Sequence, residues 1–211
     1  MCMGTAVVKL HVSDQGYSAR RYKVGVRLTV SFVLMLFWTT LPAASTKRPG
    51  QPEIRVADLE RRIHDLINKA RVEHDLPALA YDEHLAKIAR GHSRDMAVRN
   101  FFSHVNPDGR DPTARGKLAG FTCRKQVSRN SFREGLGENL YQDNLYSRIR
   151  ITGTERTYDW NTSREIAANS VRGWMNSAGH RHNILEAAYG QTGIGIVIGD
   201  DDKVFITQVF C

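Results

Sequence analysis

The sequence predicts an α+β fold in which an antiparallel sheet is covered by helices. Apolar residues recur at helical spacing through much of the folded region, beginning near Ile54. The end of the chain, residues 192–210, instead reads as two strands joined by an Asp-Asp-Asp turn. Because both faces of this terminal hairpin are apolar, it needs cover, and the earlier helices are the elements available to provide it.

The first two long helices are predicted from their spacing and their ends. The first begins near Ile54 and stops before Leu76-Pro77, because proline disfavours the helical conformation in the residue that precedes it. Its apolar side consists of Leu59, Ile63, Leu66, Ile67 and Ala70. Asp82 caps the second helix and Asn100 ends it. His92 falls on its apolar side, which favours a hydrogen-bonded core histidine over a metal ligand.

The remaining elements are predicted more coarsely. Asp111-Pro112 reads as an N-cap followed by proline at the first helical position, so a short helix should end at Gly120. Gly135–Tyr141 is expected to enter a strand, and Leu145–Trp160 to form a long polar and basic surface loop. Ser163 is expected to cap a third long helix that continues through Trp174.

The charge of the chain is concentrated in its N-terminal region. The formal net charge is +8, and residues 1–46 contain five Lys and Arg residues against Asp14 alone, which leaves +4 for the rest. No motif of basic and aromatic residues typical of DNA or RNA binding is present in the sequence. We therefore expect no nucleic-acid partner.

Residues 1–46 have the order of a secretory signal. A basic stretch, RRYKVGVR, precedes an apolar run from Leu28 to Leu41 and the small residues Ala43, Ala44 and Ser45. The run is shorter than the roughly 20 residues that span a bilayer. We predict a signal peptide or N-terminal membrane anchor in residues 1–46, a linker in 47–53 and a secreted or extracellular domain in 54–211. The alternative for the apolar run is a buried helix.

Cysteine usage agrees with export. Cys2 would leave with a cleaved signal, so Cys123 and Cys211 remain. Two cysteines in an exported domain favour one disulfide, and the alternative is a pair of buried thiols.

Five motifs occur in an order that resembles the CAP superfamily, also called the SCP domain: a first segment from HDLINKARVEHDLPALAYDEHL to FFSHVNPDG, then GENLY, VRGWMNSAGHRHNIL, GIGIVI and ITQVF. This superfamily contains the cysteine-rich secretory, venom-allergen and plant pathogenesis-related proteins. The resemblance is strongest to the short prokaryotic branch and covers residues 54–211. It implies a three-layer α-β-α sandwich with a large cleft on one face.

The resemblance also implies cleft residues. In animal and plant members, two histidines and two glutamates can hold a divalent metal there. FFSH supplies His104, GENL supplies Glu138 and SAGH supplies His180. Ser177 stands where the family has its second glutamate, so the full set of four is not present.

Two imidazoles and one carboxylate are enough for a three-ligand zinc site with an open position. Such a site could activate water for hydrolysis. In an extended segment His182 could face the same ion as His180. The resemblance favours His180 alone in the cleft, with His182 on the surface or supporting the ligands. The alternative is a structural Glu138 that accepts hydrogen bonds.

Three functions follow from these residues. We favour an exported, cell-surface or extracellular binding module whose cleft takes a lipid, a glycan or a peptide. The first alternative is a metal-dependent hydrolase that uses His104, Glu138 and His180 with a divalent metal such as zinc. The second is a structural or partner-binding domain whose cleft is idle. The residues leave the identity of the ligand and the oligomeric state open.

Overall fold

A central sheet with helices on both faces forms the domain in the computed structural model, which describes residues 47–211. The predicted signal or anchor, residues 1–46, lies outside the described residues. The helices are α1 (Val56–Val72), α2 (Glu83–Arg99), α3 (Pro112–Leu118), α4 (Ser163–Asn176) and α5 (Ala178–Ile184). The strands are β1 (Ala80–Tyr81), β2 (Arg124–Ser128), β3 (Ser131–Glu134), β4 (Gly137–Asn144), β5 (Tyr146–Thr152), β6 (Glu155–Trp160), β7 (Gln191–Ile198) and β8 (Lys203–Phe210).

The main sheet has the strand order β1-β7-β8-β4. Strands β7, β8 and β4 pair antiparallel, as the sequence predicts, but β1 pairs parallel to β7. The sheet is therefore mixed rather than purely antiparallel. The two residues of β1 are too few to show any periodicity, which is why the sequence gives no sign of this strand.

The three-layer α-β-α arrangement is confirmed. On one face, β7 and β8 pack with α1, α4 and α5 around residues such as Ile194, Ile206 and Trp174. On the other face α2 lies directly against β7. A Cβ at Gly193 or Gly195 would come within 2.0 Å of the α2 backbone. These glycines let α2 approach the sheet closely, which fixes the position of the α2 side chains described below.

The capping residues at three helix starts determine where the site residues stand. Asp82 accepts a hydrogen bond from the Leu85 amide at 2.8 Å, and Asp111 accepts one from the Ala114 amide at 2.7 Å. Both caps are as predicted. The cap of α4 is Thr162 rather than Ser163, because Thr162 and Glu165 form a reciprocal capping box.

Two further expectations were wrong. Residues 145–160 are not a loop, since β5 and β6 form an antiparallel hairpin separate from the main sheet. Its strands are largely exposed, so polar side chains masked the strand pattern. The segment that contains His180 and His182 is the helix α5 rather than an extended segment. Ser177 is both the C-cap of α4 and the N-cap of α5, so this residue alone separates the two helices.

Candidate functional site

The carboxylate of Glu138 lies at the centre of the site. Glu138 is the second residue of β4 and pairs with Val209 of β8. Its side chain is only 1% exposed. His104 Nδ1 donates to Glu138 Oε1 at 2.8 Å, and Arg115 Nη2 donates to Oε2 at 2.5 Å. Because an ionised carboxylate can only accept, these two donors satisfy both of its oxygens.

Arg115 connects this carboxylate to the segment that presents His104. Besides Glu138, it donates from Nη1 to the backbone carbonyls of His104 and Arg110, each at 2.8 Å. The Asp111 cap starts α3 and places Arg115 one helical turn later, facing the loop. The guanidinium therefore fixes the loop on which the His104 side chain stands, half of which is exposed to solvent (50%).

His92 lies behind the pair and is buried, as expected for a core histidine. Its Nε2 contacts the Ser103 carbonyl at 2.9 Å and lies 3.9 Å from Glu138 Oε1. Since a carbonyl only accepts, His92 carries its proton on Nε2. Burial lowers the pKa of His92, the charge of Arg115 lowers it further, and Glu138 opposes both. The neutral ring is consistent with a structural position.

His180 stands on α5, which two asparagines fasten to β4. The Asn139 side chain donates to the His180 carbonyl at 3.1 Å, and the Asn183 side chain donates to the Glu138 carbonyl at 3.1 Å. Burial lowers the pKa of His180, and the nearby charge of His104 lowers it further. In the described part of the chain, the His180 ring forms no hydrogen bond to Glu138 or to His104.

His182 points away from this site. On a helix, residues two apart lie on different sides, so His180 and His182 do not face a common position. The His182 side chain is exposed and lies 3.9 Å from Glu186. The idea that both histidines could face one ion is therefore wrong, and its cause is the helical rather than extended backbone.

The residues present do not fit a metal ion in this arrangement. Among residues 47–211, no group of three or more His, Cys, Asp and Glu side chains is placed to hold one. The Glu138 oxygens already bond to a guanidinium and an imidazole. Ser177, at the junction of α4 and α5, offers only a hydroxyl. His104, Glu138 and His180 are thus neighbours without forming a three-ligand set.

A groove of about 610 Å³ lies next to this cluster, between α2 and α3. It shares His92 and Arg115 with the cluster, whereas His104, Glu138 and His180 are not among its lining residues. The other lining residues come from α2, α3 and the loop before α3: His84, Lys87, Ile88, Gly91, Arg94, Asp95, Val98, Asn106, Asp108, Arg110, Leu118 and Ala119.

The groove combines basic and apolar side chains. In the described part of the chain, Lys87 and Arg94 form no ion pair. The two acidic lining residues are already engaged: Asp108 with Arg99, and Asp95 with Arg99 and the Asn106 amide. Free positive charge therefore remains along one wall.

Sequence reasoning missed Arg115 and Asn139. Arg115 belongs to a short basic helix far from GENL in sequence, and no local pattern ties the two together. A physical signal exists nevertheless, because a buried carboxylate requires a cation or several donors. Asn139 directly follows Glu138 on β4, the edge strand of the main sheet, and its complete burial there implies a hydrogen-bonding role.

Cys123 and Cys211 form the predicted disulfide, with a Cα–Cα distance of 5.6 Å. It joins the segment after α3 to the end of β8, across a sequence separation of 88 residues. The bond therefore holds the α3 side of the groove to the main sheet.

The family model of the cysteine-rich secretory protein family, CAP, matches residues 64–210. This chain belongs to the CAP family. The match includes every residue of the Glu138 cluster and of the groove. The CAP assignment predicted from the five motifs is thus confirmed.

Two curated relatives of this CAP chain are proteins of Bacillus subtilis. The membrane protein YlbC is 30% identical over 151 residues, which are 72% of this chain and 34% of that protein. YkwD is 30% identical over 142 residues, 67% of this chain and 44% of that protein. The chain therefore spans less than half the length of these two relatives.

Solved structures give the same fold. An extracellular SCP-domain protein of Bacillus anthracis has a TM-score of 0.53 and 28% identity, over 75% of this chain and 44% of that one. An outer surface protein of Borrelia burgdorferi has a TM-score of 0.53 and 17% identity, over 76% and 96%. Within residues 47–211 of the CAP chain, no helix has both the length and the apolar character needed to cross a membrane.

Proposed function

We propose that this CAP domain is an extracellular binding module whose groove between α2 and α3 takes a lipid with an acidic headgroup. The order of the N-terminal segment supports export. The Bacillus anthracis relative is described as an extracellular protein. The observation on which the proposal depends is the lining of the groove, where unpaired basic side chains lie beside exposed apolar ones.

The basic side chains favour an acid. Lys87 and Arg94 stand on α2 and line the groove, and within residues 47–211 neither has an ion-pair partner. Lys can approach an anionic group as a point charge, and Arg can bind it with two parallel hydrogen bonds. Arg115 adds to the positive potential, although Glu138 neutralises much of its charge.

The apolar side chains favour a hydrocarbon chain. Ile88, Val98 and Leu118 line the groove, and Val98 and Leu118 are exposed in the free protein. Covering exposed aliphatic surface is favourable by about 25 cal/mol per Å². The volume of about 610 Å³ suits a ligand of moderate size. Among the described lining residues there is no Phe, Tyr or Trp on which a sugar ring could stack, so a lipid fits better than a glycan.

The same geometry does not favour the metal-dependent hydrolase. A metal ion at Glu138 would share the carboxylate with Arg115, whose largely buried guanidinium bonds to Oε2, so two cations would lie close together. Their repulsion is strong where burial excludes water. The proposal therefore assigns Glu138 to holding Arg115 and the His104 loop in place.

Titration of the purified full chain with a fluorescent fatty acid and with its methyl ester tests this function. We expect the acid to bind and the ester to bind more weakly. The double variant Lys87→Gln/Arg94→Gln should weaken binding of the acid about tenfold, or about 1.4 kcal/mol. Arg62→Gln/Lys69→Gln on α1 makes the same charge change outside the groove and should leave the affinity unchanged.

Two results would contradict the proposal. Equal binding of acid and ester by the wild type would show that Lys87 and Arg94 do not recognise the acidic group. Failure of both probes to bind would favour an idle cleft, and the chain would then be a structural or partner-binding domain.

A further inference from the structure

The β5–β6 hairpin is an isolated element with one apolar face. Within residues 47–211, these two strands pair only with each other. The register sets Ile149 opposite Tyr158 and Ile151 opposite Arg156. Alternate residues of a strand share a face, so both isoleucines and Tyr158 lie on the same side. Ile151 is 66% exposed, and Ile149 is exposed as well.

The base of this face is aromatic. The rings of Tyr158 and Trp160 stack at a centroid distance of 4.8 Å, and Tyr146 meets Tyr158 edge-on at 5.3 Å. Tyr and Trp are favoured where one end of a side chain is in an apolar layer and the other is hydrated. From base to tip, the face is thus aromatic, then aliphatic, and bounded by Arg156.

Within residues 47–211, two basic side chains of the hairpin are unpaired: Arg156 shares the apolar face, opposite Ile151, and Arg148 lies on the other face, opposite Asp159. In the described part of the chain, Arg148 and Arg156 form no ion pair, whereas Arg150 pairs with Asp159 at 2.5 Å. Glu155 is the other acidic residue of the hairpin. An unpaired guanidinium directly opposite an exposed isoleucine, with a second on the other face, suits binding at a lipid surface that has an apolar interior and anionic headgroups.

The polypeptide enters the domain at the base of this hairpin. Trp160 Nε1 donates to the Pro49 carbonyl at 3.2 Å. The apolar run Leu28–Leu41 ends eight residues before Pro49, and an extended chain of that length spans at most about 30 Å. An apolar run held in a bilayer therefore keeps the base of the hairpin close to the lipid surface.

We propose that the β5–β6 hairpin docks through Ile149, Ile151 and Tyr158 on the headgroup layer of an anionic bilayer. Arg156 binds a lipid phosphate beside Ile151, Arg148 adds positive charge from the other face of the hairpin, and the aromatic base lies at the boundary with water. None of these five residues lines the groove between α2 and α3. Docking of the hairpin and ligand binding in the groove are therefore separate properties that can fail independently.

A fluorophore at the tip of the hairpin tests the docking. In the full chain with Cys2→Ser, Ile151→Cys is labelled with an environment-sensitive dye, and the protein is placed in vesicles of phosphatidylglycerol and phosphatidylcholine. The emission should shift to shorter wavelength and brighten, and should do so less in phosphatidylcholine alone. The matched control is Val72→Cys at the end of α1, which is similarly exposed (61%) and should show no shift.

Further variants assign the effect to the arginines. Arg148→Ser/Arg156→Ser should reduce the signal in mixed vesicles to that in phosphatidylcholine. Arg129→Ser/Arg133→Ser in the β2–β3 region removes the same charge elsewhere and should not. Hydrogen exchange of the unlabelled full chain provides a check without substitution. The amides of residues 146–160 should exchange more slowly on the mixed vesicles than on vesicles of phosphatidylcholine alone.

Three outcomes would overturn the proposal. In the first, the label at 151 responds no more than the label at 72. In the second, it responds equally in both lipids. In the third, it shifts without vesicles and with increasing protein concentration, which would assign the hairpin to a contact between two copies of the chain.

Discussion

Among residues 47–211, two buried glutamates are paired with arginine in similar ways, but only the second lies near a groove with unpaired basic side chains. Glu60 on α1 is 3% exposed and accepts from Arg90 Nε and Nη2, at 2.9 and 2.7 Å, and from the Ile196 amide at 3.2 Å. Glu138 on β4 accepts from Arg115 and from His104. Both carboxylates hold a helix against the sheet.

The surroundings of Glu60 form a closed network, in which the charged neighbours are paired. Arg90 also pairs with Glu83, and the Tyr81 hydroxyl donates to the Ile194 carbonyl at 3.4 Å. Burial and the charge of Glu60 raise the pKa of Tyr81 to about 12, so this hydroxyl stays protonated at physiological pH. The polar residues that line the adjoining cavity of about 310 Å³ have partners: Glu60, Tyr81 and Glu83 bond to Arg90, Arg61 pairs with Asp58, and His64 contacts the Leu79 carbonyl.

The surroundings of Glu138 leave groups unpaired. His104 is half-exposed, and the groove on the other side of Arg115 contains Lys87 and Arg94 without ion-pair partners in residues 47–211. A buried carboxylate alone therefore does not identify a functional site. The charges and apolar groups that remain unpaired around it are the better indicator.

The largest expected effect is on stability at the closed site. Glu60→Gln keeps the shape but removes the charge that Arg90 requires, and we expect the free energy of unfolding to fall by about 3 kcal/mol. Urea denaturation measures it. Arg61→Gln, exposed on the same helix, should change stability by less than about 0.5 kcal/mol. A loss below about 1 kcal/mol for Glu60→Gln would mean that solvent already screens the pair.

Glu138→Gln should cost less, about 2 kcal/mol, because its imidazole partner is half-exposed and can be hydrated. The substitution also frees the charge of Arg115, which lines the groove. Binding of the fluorescent fatty acid should tighten about threefold, or about 0.6 kcal/mol. Glu60→Gln should leave that affinity unchanged. Equal effects of the two variants on binding would contradict the distinction between the sites.

The histidines near Glu138 make this side of the domain sensitive to acid. The pKa values of His92 and His180 are lowered in the folded protein, so the unfolded chain binds their protons first as the pH falls. This contribution to stability is complete above the unfolded pKa of about 6.5 and is lost as the pH falls below it, by up to about 1.4 kcal/mol per pH unit for His92 and by less for half-buried His180, which solvent screens. Urea midpoints between about pH 7 and pH 5 measure this loss.

Substitutions on α5 separate this effect from general acid instability. His180→Asn should flatten the pH dependence of the urea midpoint. His182→Asn, exposed on the same helix, should leave it as in the wild type. A midpoint that stays constant or rises on acidification would show that neither imidazole governs it.

The smallest effect is expected for His104→Ala. The side chain is half-exposed and lies outside the groove, so stability should change by less than about 1 kcal/mol and fatty-acid affinity should not change. Isothermal calorimetry provides the affinity. A tenfold loss would instead place the ligand at the family-type cleft of His104, Glu138 and His180.

Part of the site could be predicted from the sequence. The FFSH and GENL motifs identified His104 and Glu138, which are hydrogen-bonded in the structure. Arg115 could not be found in the same way, because its pairing depends on how α3 packs beside β4. The groove could not be predicted from the sequence either, because its residues come from two helices and a loop that only the fold brings together.

The fold shows a similar division. Helices α1 and α2 and strands β7 and β8 bury one or both faces, so their residues repeat with a clear period. The β5–β6 hairpin buries little, and its sequence therefore has no comparable pattern. The short α5 depends on contacts from Asn139 and Asn183 to β4, which are tertiary and leave no local signal.

Photo-crosslinking tests the central claim most directly. A fatty acid with a diazirine group is bound to the full chain and irradiated, and the labelled peptides are identified by mass spectrometry. We expect labels in residues 84–98 of α2 and 112–119 of the α3 region, with competition by unlabelled fatty acid. Labels concentrated instead on α1 near Glu60, or spread evenly over the surface, would contradict it.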